Sequence, residues 1–312
     1  MESKKEIYDL IPQEFYPKTL LITYGMDYKM IRNKIAQANL RFPLIGKPDI
    51  GMRGIAVKKL HNWHELNEYV LDSKVDFLIQ EFISYEIEAG IFYYRLPNKR
   101  NGNISGIVLK EFLAVEGDGS STVLELLARD KRSILQLATL QSEYPQLSSL
   151  VLPGGVRKIL VPYGNHSRGA KFIDASFRII EELVNCIDKI CQQINGFYYG
   201  RIDVRFNSWE ELSKGKNFSI IELNGAGSEP THIYDPKHSI VFAWREIIRH
   251  AKILYRISMQ NQKQCGYINF YSGVKMIYEN YRHIKLLTRK RKGIKQPFPF
   301  VSPVFSSWPQ AS

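Results

Sequence analysis

The sequence predicts a protein that combines helices and strands. Strand-like runs rich in β-branched and aromatic residues alternate with segments in which apolar residues recur every three or four positions. The 312 residues are enough for two domains or one large unit. Hydrophobic residues make up 44% and charged residues 24%, which is typical of a globular protein with a packed core.

Two strand-like segments, GFYYGRIDVRF and IIELNGAG, hold the residues on which the functional prediction depends. Side chains alternate faces along a strand, so Arg201 and Asp203 share one face, as do Glu222 and Asn224. The polar connector between the segments lets the second strand return beside the first. Three oxygen donors and one guanidinium would then meet, a set that suits Mg²⁺ bound with nucleotide phosphates. Two strands with charged solvent faces are the simpler alternative.

GRIDV followed by E-L-N resembles the metal-binding end of the ATP-grasp fold and is similar to the D-alanine–D-alanine ligase branch. The resemblance covers roughly residues 4–258. It implies an α+β fold in which two subdomains with mainly antiparallel sheets clasp ATP. We expect an ATP-grasp domain at 1–258, made of a nucleotide-binding subdomain at about 27–85 and a catalytic subdomain at about 86–258, and a basic C-terminal segment at 259–312. The α/β domain that usually precedes this fold has no counterpart, so this is a reduced member or the sequence lacks an N-terminal part.

The segment KPDIGMRGIAV is similar to the ATP-grasp phosphate loop and its lysine. Glycines let backbone N–H groups approach phosphate closely, and a lysine at the end of a strand adds a positive charge. The resemblance assigns the phosphates to this segment and to a lysine before the first strand, which is Lys4 or Lys5. The predicted contacts are Lys47, Gly51, Gly54 and Lys4, together with Arg53, which either contacts phosphate or faces water. A solvated lysine at position 4 and a plain hairpin at the glycines are the alternatives.

The strand that ends at Glu81, Phe82 and Ile83 corresponds in the resembled family to the hinge whose backbone binds adenine. An acidic residue seven positions later binds ribose there, which places Glu88 in that role. Lys110, in the strand GIVLKEFLAV, is a further phosphate contact or an exposed strand lysine. The turn GDGSST, which is similar to cyanophycin synthetase, is explained by a helix cap in which Thr122 and Glu125 form a capping box.

The patch GNHSRG resembles the element by which peptide-forming members of the family border the phosphates and the acceptor. Arg168 could hold a phosphate or a substrate carboxylate through two hydrogen bonds. His166 could orient the substrate or act as a base, although a structural histidine is the more frequent case.

The net charge of +12 is concentrated near the C-terminus. No acidic residue follows Glu279, and seven cations do; without them, 36 basic residues face 31 acidic ones. Nothing in the body of the chain indicates a nucleic-acid surface. The basic end is either solvated or a peripheral contact with an anionic membrane. Three unpatterned cysteines and the lack of a leader or a membrane-length apolar run predict a cytoplasmic protein.

The resemblance implies an ATP-dependent ligase that joins a small-molecule carboxylate to an amine, an amino acid or a peptide, with Mg²⁺ on Asp203, Glu222 and Asn224. The carboxylate is phosphorylated, the amine attacks the acyl phosphate, and Arg201 holds the developing oxyanion. Two alternatives stay open: a phosphotransferase that stops at phosphorylation, and a nucleotide-binding scaffold without catalysis. The sequence does not identify the substrates or the oligomeric state.

Overall fold

A computed structural model of the chain describes residues 3–51, 54, 56–130, 133–161, 164, 169–266 and 268–288. The strands in these ranges are β1 (Thr19–Ile22), β2 (Leu44–Pro48), β3 (Lys58–Leu60), β4 (Phe77–Glu81), β5 (Ile87–Tyr94), β6 (Asn103–Glu111), β7 (Ala114–Glu116), β8 (Arg157–Ile159), β9 (Lys171–Asp174), β10 (Tyr199–Phe206) and β11 (Phe218–Asn224). The helices are α1 (Lys4–Leu10), α2 (Tyr28–Gln37), α3 (Trp63–Asp72), α4 (Val123–Arg129), α5 (Leu137–Glu143), α6 (Glu181–Gln193), α7 (Trp209–Ser213), α8 (Ile240–Cys265) and α9 (Phe270–Thr288).

The strands form one sheet of four, ordered β1-β4-β2-β3, one of five, ordered β11-β10-β5-β6-β9, and the pair β7-β8. The pairings in both large sheets are antiparallel. The predicted α+β class with mainly antiparallel sheets is therefore confirmed.

Each large sheet buries a separate apolar core. Side chains of α2 and α3, such as Ile31 and Leu66, pack on the four-stranded sheet. Apolar residues of α6 recur at helical spacing, which predicts a core face. Leu183, Ile187 and Cys191 of this face pack on the five-stranded sheet. That helix begins at Glu181, since residues 176–178 form a separate 3-10 turn.

Side-chain caps mark the starts of α3 and α4. Asn62 accepts a hydrogen bond from the Glu65 amide at the start of α3, and Thr122 with Glu125 forms the predicted capping box of α4.

The sequence also predicts a helix from about Ser239 to Ser258 with Ala251, Leu254 and Trp244 packed inward. This helix, α8, runs to Cys265. The inward packing is wrong for Ala251, which is exposed, and for Trp244, of which 59% is exposed.

Among the described residues, no helix is both long and apolar enough to cross a bilayer.

Candidate active site

Strands β10 and β11 bring the predicted metal ligands side by side. Asp203 lies opposite Glu222, and Arg201 lies opposite Asn224. Opposed residues of an antiparallel pair have Cβ atoms about 5 Å apart. The register shifts directly after Asp203, which leaves Ile221 as an extra residue in β11. The predicted return of the second strand is confirmed, and the role of these side chains as ligands stays a prediction.

A buried row of alternating charges crosses the five-stranded sheet. The Lys110 ammonium lies 2.8 Å from Asp203 and 3.1 Å from Glu88. The Arg201 Nε lies 2.8 Å from the other oxygen of Asp203. At the far end, Arg205 Nε lies 3.1 Å from Glu88. Each carboxylate therefore has two cationic partners. One of these cations could turn from the carboxylate to an incoming phosphate while the carboxylate keeps the other cation.

Glycines leave the space that this row needs. A Cβ on Gly90, the residue paired with Asp203, would lie 2.9 Å from the Asp203 Oδ1. A Cβ on Gly164 would lie 2.5 Å from the Lys110 Cδ and 2.6 Å from the Glu88 Oε1. Side chains at either position would displace the ion pairs, so the two glycines are part of the site's construction.

The pKa values in the row follow from burial and from the neighbouring charges. Burial alone would raise the pKa of Asp203, but Arg201 and Lys110 outweigh it and hold this pKa at about 2. Burial would lower the pKa of Lys110, but Asp203 and Glu88 raise it above its ordinary value. Asp203 and Lys110 are therefore both ionised throughout the physiological range.

Lys47 reaches from the four-stranded sheet toward the strand that carries Glu222. Its buried ammonium donates to the Tyr8 hydroxyl at 2.8 Å and to Gln80 at 2.9 Å. It also lies 3.5 Å from the carbonyl of Ile221, and Tyr8 donates to the same carbonyl. Burial lowers the pKa of Lys47 to about 8, and the charge of Glu222 partly opposes this. The two sheets thus meet at the predicted phosphate lysine and the predicted metal strand.

Lys4 binds the backbone at the start of the predicted phosphate loop. The Lys4 ammonium donates to the carbonyls of Pro48, Asp49 and Gly51, the last at 2.8 Å. Burial lowers the pKa of Lys4. Lys4 thus holds the start of the loop, and a direct contact with phosphate would require it to leave these carbonyls. Gly54 has a φ of 69°, which glycine adopts without strain.

The predicted nucleoside segment lies next to the charged row. The carbonyl of Ile83 accepts a hydrogen bond from Arg205 at 3.0 Å. The Phe82 ring carries Lys59 over one face at 3.8 Å, whereas Glu81 is exposed at the end of β4. Both oxygens of the predicted ribose ligand, Glu88, are bound to cations. Ribose hydroxyls would have to share or replace those contacts.

Three predicted site residues, Arg53, His166 and Arg168, lie outside the described residues. Gly164 is described, and it borders the Lys110–Glu88 pair.

Sequence reasoning missed Arg205, Tyr8 and Gln80. Arg205 could have been found, because it has the same parity as Arg201 and Asp203 along β10 and so faces the same side. Tyr8 and Gln80 gave no local signal. Their contacts with Lys47 join residues 39 and 33 positions apart.

The donor set fits a magnesium ion that also binds phosphates. Mg²⁺ is usually held by one or two carboxylates together with substrate phosphates. In the part of the chain that the structure describes, no hydrogen bond or short ion pair engages the Glu222 carboxylate or the Asn224 Oδ1, the amide atom that can bind a cation. Two of the three donors are thus not committed to protein partners. Within the same residues, no group of three His, Cys, Asp or Glu side chains could hold a metal ion. The predicted set is not of that kind, because its third member, Asn224, is an amide.

The loop after β11 borders the guanidinium of Arg201. Tyr234 donates to the exposed Glu229. Burial would lower the pKa of Arg201, but Asp203 raises it, and Glu222 and Glu229 contribute to the rise. His232 in the same loop is buried, and its Nε2 lies 3.3 Å from the Glu246 carboxylate.

Comparison of the sequence with protein-family models and with curated proteins found no match.

Solved structures to which the chain is similar include three ligases. For a bifunctional glutathione synthetase from Pasteurella multocida, identity is 15%, the match covers 81% of this chain and 35% of the other, and the TM-score is 0.41. For a D-alanine–D-alanine ligase from Bacillus anthracis, identity is 15%, the match covers 85% of this chain and 69% of the other, and the TM-score is 0.48. For the VanG D-Ala:D-Ser ligase from Enterococcus faecalis, identity is 13%, the match covers 82% of this chain and 60% of the other, and the TM-score is 0.45. The chain therefore spans between about a third and about two thirds of the length of these proteins.

Proposed function

We propose that the chain is an ATP-dependent carboxylate–amine ligase that works through an acyl phosphate. ATP would lie between the two large sheets, where Lys47 and the charged row approach one another. The acid and the amine would meet near Arg201, beside the loop that follows β11. The chemical identity of both substrates is left open, and a small acid such as an amino acid or a peptide fits the resemblance.

The nucleotide would be held by residues from both sheets. Lys47 and Lys110 supply positive charge for the phosphates, and the backbone between Gly51 and Gly54 supplies N–H groups. The hinge from Glu81 to Ile83 would offer a backbone donor and acceptor to the base, and the Ile83 carbonyl would have to share or replace its hydrogen bond from Arg205. Glu88 would accept from the ribose hydroxyls.

Asp203, Glu222 and Asn224 would hold Mg²⁺ at the end of the triphosphate. The ion supplies charge neutralisation and orientation of the phosphates when it is bound. Because Lys110 now neutralises Asp203, binding of the nucleotide would require Lys110 to turn toward the phosphates. Arg201 would remain bound to Asp203 during that exchange and would favour its ionised form.

Two bond-forming steps complete the reaction. A carboxylate oxygen of the acid attacks the γ-phosphorus, the bond to the β-γ bridging oxygen breaks, and ADP leaves. The amine nitrogen then attacks the acyl carbon, the bond to the phosphate oxygen breaks, and the amine loses a proton to water. Arg201 would stabilise the negative oxygen that develops at the acyl carbon.

The observation that carries this proposal is the opposition of Asp203 and Glu222 in the register of β10 and β11, beside Lys110 and within reach of Lys47. A pair of solvent-facing strands would not bury Asp203 between two cations.

The test is a screen of acid and amine pairs for release of ADP and phosphate, with mass measurement of the products. We expect equal amounts of ADP and phosphate only when both an acid and an amine are present, and a product whose mass is their sum less one water. The matched control is Glu222→Gln, which should form no product.

ADP formation that needs only the acceptor, together with a stable phosphorylated product, would identify a phosphotransferase instead. Tight binding of ATP that is never followed by turnover with any pair would favour the scaffold alternative.

A further inference from the structure

Helix α8 carries an apolar stripe that faces solvent. Five of its residues, at spacings of three and four, are exposed: Val241, Trp244, Ile248, Ala251 and Tyr255. Ile240, Ile247 and Met259 extend the same stripe. Exposure of the two largest side chains is 59% for Trp244 and 65% for Tyr255. At about 1.5 Å per residue the stripe is roughly 28 Å long. It is thus a contiguous apolar patch, whereas the exposed apolar residues of an ordinary surface are scattered singly.

The stripe is distinct from the face by which α8 binds the protein. That opposite face buries Glu246, His250 and Ile257 against the five-stranded sheet and the loop after β11. The helix therefore satisfies its structural contacts on one side and leaves a second apolar side uncovered.

A row of cations borders the stripe. Arg245, Lys252 and Arg256 are exposed along one edge of it. Among the described residues, none of these three side chains makes an ion pair. The only acidic residue of α8 is Glu246, which is buried.

Beyond this row lies a basic cavity of about 500 Å³ between α8 and the turn that joins β5 to β6. Its cations are Lys99, Arg100 and Arg256, and no acidic side chain is among its lining residues. Tyr94 and Ile253 form part of its apolar wall. In the described part of the chain, Lys99 and Arg100 also have no ion-pair partner.

We propose that α8, with the cavity beside it, is a docking surface for an anionic lipid bilayer. Exposed Trp, Tyr and Ile side chains would enter the headgroup region, as they do in interfacial helices. The adjacent cations would meet the negative headgroups, and the cavity has the charge and size to take one phosphate- or carboxylate-bearing headgroup. This surface is separate from the proposed ligase site.

A second copy of the chain fits the surface less well. Two α8 helices packed through their stripes would bring rows of Arg and Lys together. Neither helix would offer an exposed carboxylate to offset that repulsion. The charge pattern thus favours an anionic occupant over self-association.

The test measures sedimentation of the full chain with vesicles made of equal parts phosphatidylserine and phosphatidylcholine, and with pure phosphatidylcholine vesicles. We expect binding to the anionic vesicles and much weaker binding to the neutral ones. Trp244→Glu/Ile248→Glu should abolish binding. Arg245→Gln/Lys252→Gln/Arg256→Gln should weaken it about a hundredfold, at about fivefold per cation.

Two matched controls change residues outside the docking surface. Phe177→Glu changes an apolar residue that is 76% exposed. Lys29→Gln/Lys34→Gln/Lys74→Gln removes three exposed cations near the four-stranded sheet. Both should bind as the unchanged chain does. The fluorescence of Trp244 gives a local readout, because anionic vesicles should shift the emission to the blue and Trp244→Phe should lose that shift while it still sediments.

Three outcomes would overturn the proposal. Undiminished binding of Trp244→Glu/Ile248→Glu would place the contact elsewhere, as in the basic C-terminal segment. Equal binding to neutral and anionic vesicles, or none to either, would exclude recognition of an anionic surface. A concentration-dependent dimer that Trp244→Glu/Ile248→Glu dissociates would assign the stripe to a second copy.

Discussion

Asp203 and Glu222 lie opposite one another but differ in what surrounds them. Asp203 is buried between Lys110 and Arg201, whereas no hydrogen bond from the described residues engages Glu222. The two side chains should therefore respond differently to the same isosteric change.

Glu222→Gln is expected to leave the free energy of unfolding nearly unchanged and to lower the rate of ADP formation by at least a hundredfold. Asp203→Asn should lower the rate as much and should also destabilise the fold by about 3 kcal/mol, because it leaves two buried cations short of a partner. Urea unfolding and an ADP assay check both. Equal stability of the two variants, or a Glu222→Gln enzyme with normal turnover, would contradict these assignments.

The lowered pKa of Lys47 predicts a pH dependence of ATP use. Burial brings this pKa to about 8, so the ammonium that would hold phosphate is lost as the pH rises above that value. We expect kcat/KM for ATP to fall about tenfold per pH unit above pH 8. In Lys47→Arg the fall should move to higher pH, because a guanidinium stays charged.

Unfolding measurements separate this effect from alkaline denaturation. The folded state binds fewer protons than the unfolded state between the pKa of about 8 and the ordinary value of 10.5, so Lys47 makes the free energy of unfolding rise with pH in that window. Activity should thus fall while this contribution to stability grows. A fall that persists unchanged in Lys47→Arg would assign the titration to another group.

At the residue level, strand alternation was enough to place Arg201, Asp203, Glu222 and Asn224 together. The same alternation applied one step further would have included Arg205. Strand alternation could not show that Lys110 binds Asp203, because the two residues lie on β6 and β10, with β5 between them. The contact passes over Gly90 of β5, which has no side chain in the way.

At the level of elements, Gly164 tests how the charged row is built. Gly164→Ala should raise the KM for ATP by about tenfold, because its Cβ would lie 2.5 Å from Lys110 and 2.6 Å from Glu88. Gly154→Ala is the matched control, since the nearest atom to its Cβ lies 4.0 Å away. Steady-state kinetics at varied ATP checks both variants. The assignment fails if Gly164→Ala has the KM of the control.

Helix boundaries were predictable where a cap defines them, as at Asn62 and Thr122. The orientation of α8 was not, because the helix has apolar residues on two sides and the sequence does not say which side the sheet covers. Trp244 was assigned to the wrong side for that reason, whereas the partly buried Leu254 packs with Phe92 and Tyr199.

For the whole molecule, the site depends on contacts between two sheets that are far apart in sequence. Tyr8 and the carbonyl of Ile221 are separated by 213 positions, and Lys47 and the same carbonyl by 174. Periodicity predicted each sheet's strands but gave no information on these contacts. The order of motifs along the chain, taken with the family resemblance, was what predicted that the two halves meet at the phosphates.

A crystal grown with Mn²⁺ and a non-hydrolysable ATP analogue would locate the metal through its anomalous signal. We expect a peak between the carboxylates of Asp203 and Glu222, within coordination distance of Asn224, with the terminal phosphate between that peak and Lys47. A nucleotide bound elsewhere, or a metal peak that none of these three side chains contacts, would contradict this expectation.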